Sequence, residues 1–178
     1  MQTDFRKAAV AAIIVALSVA GCSGDKEDIC PTMSGVTDAS VQTVFRPGAA
    51  QDPANVLYTA EIMGVTGACD FDKKSRETDA CLRIDFRATR APSSAEAHYV
   101  VPYFVAVTEG ARILARRNYS VTLSFQSGQT VATTTDTVGS TQLITAKDKQ
   151  PYDYQILVGL QLSRADLDYN RRSAHYQP

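Results

Sequence analysis

Residues 154–162, YQILVGLQL, place Tyr154, Ile156, Val158, Leu160 and Leu162 at every second position. Residues 82–89 repeat the pattern, with Leu82, Ile84, Phe86 and Ala88 alternating with Arg83, Asp85, Arg87 and Thr89. A period of two puts successive side chains on opposite faces, which a strand can use and a helix cannot. From about residue 36 onward the chain alternates and lacks helical spacing, so the expectation is β structure almost throughout.

Val36–Phe45 reads as a weak strand closed by Arg46-Pro47-Gly48. Residues 56–68 read as a long strand with Val56, Tyr58, Ala60 and Ile62 on one face, bent or bulged near its end by Gly64 and Gly67. Residues 70–79 read as a charged loop. The segment HYVVPYFVAV, 98–107, is apolar on both faces and predicts a central strand with its outer face covered, bulged at Pro102. Glu109-Gly110 turns the chain into a strand over 113–125, kinked at Arg116-Arg117. The Thr-rich residues 129–145 predict one or two exposed strands. Ser163 with Asp166 matches a capping box and predicts a helix over about 164–172. Its Leu162, Ala165 and Tyr169 share a face expected to cover the 98–107 strand.

About seven strands at hairpin spacing indicate an all-β antiparallel sandwich, immunoglobulin-like or fibronectin-like, with a short C-terminal helix; a small closed barrel is the second architecture. The net charge of −1 gives no electrostatic footprint for nucleic acid. Catalytic constellations are thin. The histidines are His98 and His175 alone, no serine carries nucleophile-elbow glycines, and neither CxxC nor HxxxH occurs, so no enzyme, cofactor or metal is expected. The acidic residues Asp70, Asp72, Glu77 and Asp79 lack the glycine and glutamate of a helix–loop–helix calcium site and read as a solvated hairpin loop. Tyr99, Tyr103, Phe104, Tyr152 and Tyr154 offer rings for a carbohydrate surface, although rings at strand period more often belong to a core or sheet face.

The N-terminus adds a compartment. Arg6 and Lys7 precede an apolar run, 8–20, too short to cross a bilayer comfortably, and small residues end it. Ala20-Gly21-Cys22 resembles the lipobox of bacterial lipoproteins. The resemblance implies a signal peptide, 1–21, removed before Cys22, and acyl chains on Cys22 that hold the protein to a bilayer. It also implies an envelope protein facing the periplasm, with Ser23 favouring the outer over the inner membrane. Residues 22–34 then read as a tether and 35–178 as one domain.

Three further cysteines, Cys30, Cys69 and Cys81, stand in a compartment that permits disulfides. Their spacing leaves open Cys30–Cys69, which ties the tether to the domain, and Cys69–Cys81, which closes a hairpin. The set CP at 30–31, FRPG at 45–48, VPYFVAV at 101–107, ILVGLQLS at 156–163 and DYNR at 168–171 is similar to an uncharacterised family of bacterial envelope lipoproteins. That resemblance implies the Cys30–Cys69 pairing and brings no catalytic residues. The functional expectation is a lipid-anchored, non-catalytic structural or protein-interaction domain with an envelope protein as partner. A module binding glycan or a small hydrophobic molecule is the alternative.

Overall fold

The computed structural model describes residues 29–173, so residues 1–21, where a signal peptide is expected, and Cys22, Ser23 and His175 lie outside the described residues. Eight strands follow in chain order: β1 (Thr32–Gly35), β2 (Val41–Phe45), β3 (Val56–Asp72), β4 (Glu77–Thr89), β5 (Ala97–Glu109), β6 (Arg112–Phe125), β7 (Val131–Ile144) and β8 (Gln155–Leu160). Helix α1 (Arg164–Arg172) closes the series. The strands form two four-stranded sheets, ordered β1-β8-β5-β6 and β2-β3-β4-β7. All neighbours are antiparallel except β1 and β8, which run parallel. The chain is therefore a sandwich-like all-β fold with one short C-terminal helix, and no ladder joins the sheets into a closed barrel.

The alternating residues make the core. Leu82, Ile84, Phe86 and Ala88 of β4 face Val101, Tyr103, Val105 and Val107 of β5 across the sandwich, and all are buried. Tyr154, Ile156, Val158 and Leu160 join them, while Leu162 is half-buried at the margin. Segment 98–107 sits inside its sheet, between β6 and β8, as its two apolar faces require. Gly159 of β8 lies under the Phe104 ring, whose edge would come within 2.7 Å of any Cβ there, so only glycine admits the ring.

Several expectations are corrected. Thr32–Gly35 and Cys30 belong to the fold and not to a tether, because β8 offers β1 a free edge and the Cys30–Cys69 disulfide fixes the chain just before it. Residues 36–45 do not form one strand; a 3-10 turn at Thr37–Ala39 precedes β2. The loop expected at 70–79 shrinks to residues 73–76, since β3 and β4 pair as far as Asp72 and Glu77. There Asp72 accepts the N–H groups of Lys74 and Ser75, and Arg76 takes φ +59°.

Pro102 makes no bulge and stands in register opposite Ser120. Its carbonyl accepts from Gln161 on the β8 side, where the β5–β8 ladder has stopped at Leu160. The N and C=O of one strand residue point the same way, so the missing N–H faces Gln161, just past the last pair of the β5–β8 ladder, and interrupts no pair within it. The kink expected at Arg116-Arg117 falls instead at Leu114, as a bulge between the pairs Val107–Ala115 and Thr108–Ile113.

Helix α1 starts and ends where the capping box predicts, with Ser163 and Asp166 bonded reciprocally. It packs elsewhere than expected. Tyr169 meets Phe45 edge-on at 4.9 Å, and the buried Asn170 donates to the Val41 carbonyl at 2.8 Å. Val41 is in β2, an edge strand, and Ser40 uses its own carbonyl toward β3, so Asn170 occupies an edge acceptor that no strand fills. Ala165 is exposed. The helix thus caps an edge of the other sheet and leaves the outer face of β5 to Phe104, Arg116 and Leu162.

Candidate interaction site between two edge strands

The two flanks of the sandwich are finished differently. On one, β1 and β2 are short; the Cys30–Cys69 disulfide joins the approach to β1 with β3 of the opposite sheet, and α1 lies over β2. On the other flank stand β6 and β7, both of 14 residues and both edge strands. A long edge presents backbone N–H and C=O groups with no strand beside them.

β6 changes character along its length. Val121, Leu123 and Phe125 point inward and are buried, whereas Arg112 to Asn118 are all exposed. In β7, Ala132 and Val138 are buried, Gly139-Ser140 then bulge opposite the single residue Cys81, and Leu143 beyond the bulge is buried again. Ser140 takes φ +55° in that bulge. A bulge bends and twists its strand, and here Leu114 and Gly139-Ser140 put one on each edge strand at the same end of the flank.

Between them opens a cavity of about 200 Å³. Its floor is Val105 and Val107, its walls Ala115, Arg117 and Tyr119 from β6 and Ser140 to Gln142 from β7. Behind it, Tyr103 donates from its hydroxyl to Asp136 Oδ2 at 2.8 Å, joining β5 to β7 across the sandwich. Burial, then the hydrogen bond and charge of Asp136, raise the Tyr103 phenol far above its ordinary value, so it stays a donor. Tyr119 stacks on Tyr103 at 5.4 Å and extends the apolar wall outward.

Charge on β6 is one-sided, while β7 brings Asp136, which Tyr103 holds. β6 carries Arg112, Arg116 and Arg117 and no carboxylate. Arg112 pairs with Glu109, and Arg116 lies over the Phe104 ring at 4.1 Å on the outer face. Arg117 has no ion-pair partner among the described residues. A second, shallower cavity of about 360 Å³ lies between Phe104, Arg116, Leu162 and Leu167, where α1 leaves the sheet.

No family model, curated protein or solved structure matches this chain.

The residues singled out from sequence are scattered. The five rings do not make one surface: Tyr103 and Tyr154 are core, Tyr99 is half-buried and stacks on Tyr58 at 4.1 Å, Phe104 is half-buried outside, and Tyr152 is exposed in another loop. His98 Nδ1 lies 2.8 Å from Ser124 Oγ, a cross-strand pair on the exposed sheet face. No carboxylate orients that ring among the described residues, so the pair lacks the third member that a nucleophilic triad uses. Asp70 and Asp79 stand opposite each other across β3–β4, and among the described residues no three metal-ligating groups converge. Cys30 and Cys69 are brought together as a disulfide, and Cys81 stands opposite Ala68. Sequence reasoning missed the β6/β7 cavity. Its available signals were Gly139 inside a strand pattern and the consecutive apolar pair Ile113-Leu114 between arginines, both of which break alternation.

Proposed function

We propose that this protein is a lipid-anchored bacterial envelope protein whose domain is non-catalytic and binds a protein partner through the β6/β7 flank. The observation that carries the interaction reading is the contrast between the flanks: one is stapled and capped, the other leaves two long edges and a lined cavity open. The anchor reading rests on Arg6-Lys7, the apolar run 8–20 and Ala20-Gly21-Cys22. In it, acylated Cys22 holds the domain on the periplasmic side, and Ser23 directs it to the outer membrane. The dispersal of the five rings removes the main support for a glycan-binding surface. The immunoglobulin-like or fibronectin-like grouping rests on the two-sheet layering and on the chain crossing between sheets after β1, β4, β6 and β7. The consecutive order β2-β3-β4 sets this chain apart from the immunoglobulin ABED sheet.

Two measurements in intact cells test the reading. Cys22→Ser should remove the acyl mass and release the protein from the membrane fraction; unchanged fractionation together with no acyl mass on the wild type would end the anchor reading. A photoreactive residue at Ile113, on the open flank, should yield one discrete crosslinked partner that a photoreactive residue at Tyr152 does not yield. Both positions are exposed, at 61% and 60%, so equal products from the two, or none from Ile113, would refute an interaction through β6/β7.

A further inference from the structure

We infer that the occupant of the β6/β7 flank is an extended, acidic segment of a partner protein, added as a strand to β6 with a carboxylate on Arg117 and an apolar side chain over Val105 and Val107. The inference deepens the interaction reading above and rests on it. Three observations converge on this occupant. No strand is hydrogen-bonded to the outer edge of β6, so its exposed half, Arg112 to Asn118, can take an extended partner through the main chain. The cavity of about 200 Å³ lies below the typical small-ligand range and is sized for a side chain carried in on a strand. The lining adds the cation Arg117 to the apolar floor of Val105 and Val107, and β6 supplies no carboxylate to neutralise it.

Charge also discriminates against a second copy. Antiparallel pairing of β6 with β6 about its exposed half would set Arg112, Arg116 and Arg117 against the same arginines. Like charges opposed across a strand pair destabilise it, and arginine or lysine on an edge is a recurrent guard against self-association. An acidic and an apolar residue two positions apart on the added strand share its inner face and reverse that sign: the first then attracts Arg117 and the second reaches the floor.

The test uses the purified full chain and an end-capped peptide of about eight residues, with glutamate and valine taking turns at every second position and threonine between them, long enough to run along the exposed half of β6. Binding is followed by fluorescence anisotropy, and its place by amide chemical-shift changes. Expected are saturable binding, shifts concentrated in Arg112–Asn118 and at Val105, and weakening by about tenfold or more in Arg117→Glu. Arg117 is exposed, so this variant should keep the wild-type circular dichroism spectrum. Arg117→Lys, which keeps the charge, should lose less. Lysine in place of glutamate should abolish binding, and so should N-methylation of the peptide's pairing amides.

Absence of binding, equal binding of the lysine peptide, survival of binding after N-methylation, or shifts away from β6 would each overturn the inference. A concentration-dependent dimer in sedimentation that Arg117→Glu abolishes would overturn it in favour of a second copy. A partner crosslinked at Ile113 without peptide binding would leave the interaction reading standing and defeat only strand addition.

Discussion

Arg76 and Arg90 are loop residues by sequence, yet each laces together one end of the sandwich. Arg76 donates to the carbonyls of Thr145, Ala146 and Lys149, while its backbone carbonyl accepts from Thr145. At the opposite end Arg90 donates to Gln129 and Ala95, with its guanidinium 4.7 Å from the Phe125 ring centroid. Hydrogen bonds from a charged donor each contribute about 1.5–3 kcal/mol net, and partial exposure of Arg76 argues for the lower part of that range. Water takes over much of the bonding to these surface carbonyls once the side chain is gone, so Arg76→Ala should lower the unfolding free energy by about 2 kcal/mol in urea melts, with an unchanged m-value. Arg76→Lys should recover little, since a point charge cannot fan out to three carbonyls.

Tyr103 gives a second test, in pH. Its phenol is raised in the folded protein, first by burial and then by Asp136. The unfolded chain releases that proton near pH 10 while the folded one retains it, so the stabilisation is whole below about pH 10 and declines as pH rises beyond it. The slope is about 1.4 kcal/mol per pH unit for each such tyrosine. Tyr58, raised by burial and then by Tyr99, adds its own share. Tyr103→Phe should flatten part of the alkaline loss. It should also cost about 1.5–3 kcal/mol at neutral pH by leaving Asp136 without its cross-sheet donor. Equal alkaline slopes in the two proteins would refute the assignment.

Helix α1 stands or falls with β2. Its stop and start follow from Ser163, Asp166 and the basic residues Arg171 and Arg172 in the last turn, but nine residues are too few to hold a helix alone. Packing on Phe45 and the Asn170–Val41 bond supply what is missing. Tyr169 is half-buried, so Tyr169→Ala should cost about 1–2 kcal/mol, less than the 3–5 kcal/mol of a fully buried aromatic. Asn170→Ala should cost about 1 kcal/mol and speed amide exchange along β2. Arg171, paired with Asp38 only at 3.7 Å and exposed, should tolerate alanine within about 0.5 kcal/mol. If Tyr169→Ala melts with the wild type, the helix is not holding the edge.

The molecule as a whole is braced on one flank and open on the other. The Cys30–Cys69 bond spans 39 residues and ties both sheets together where the first strand is only four residues long. Its removal by paired serine substitution should cost about 2–4 kcal/mol. The loss should fall first on β1, seen as faster exchange of its amides, while β6 and β7 keep their protection relative to the core. Uniform loss of protection over both flanks would mean that the staple acts on the whole sandwich and not on one side.

Wherever one face meets water and the other the core, the strands were legible in the sequence. Leu82 to Ala88 and Tyr154 to Leu160 alternate because burial on one side alone demands it, and Ser163 with Asp166 fixes a helix start through groups three residues apart. Such features need only local chemistry. The joining of Cys30 with Cys69, the Tyr103–Asp136 bond, the placing of α1 over β2 and the cavity beneath Arg117 bring together residues far apart in the chain. Thr32–Gly35 has no alternation to announce it and is a strand because β8 leaves an edge beside it. Leu114 breaks the alternation beside Ile113, but it is a bulge because β5 offers one residue fewer. Periodicity records which side of a strand is buried; it carries no record of which strand lies beside it, and that neighbour decides where this protein is open.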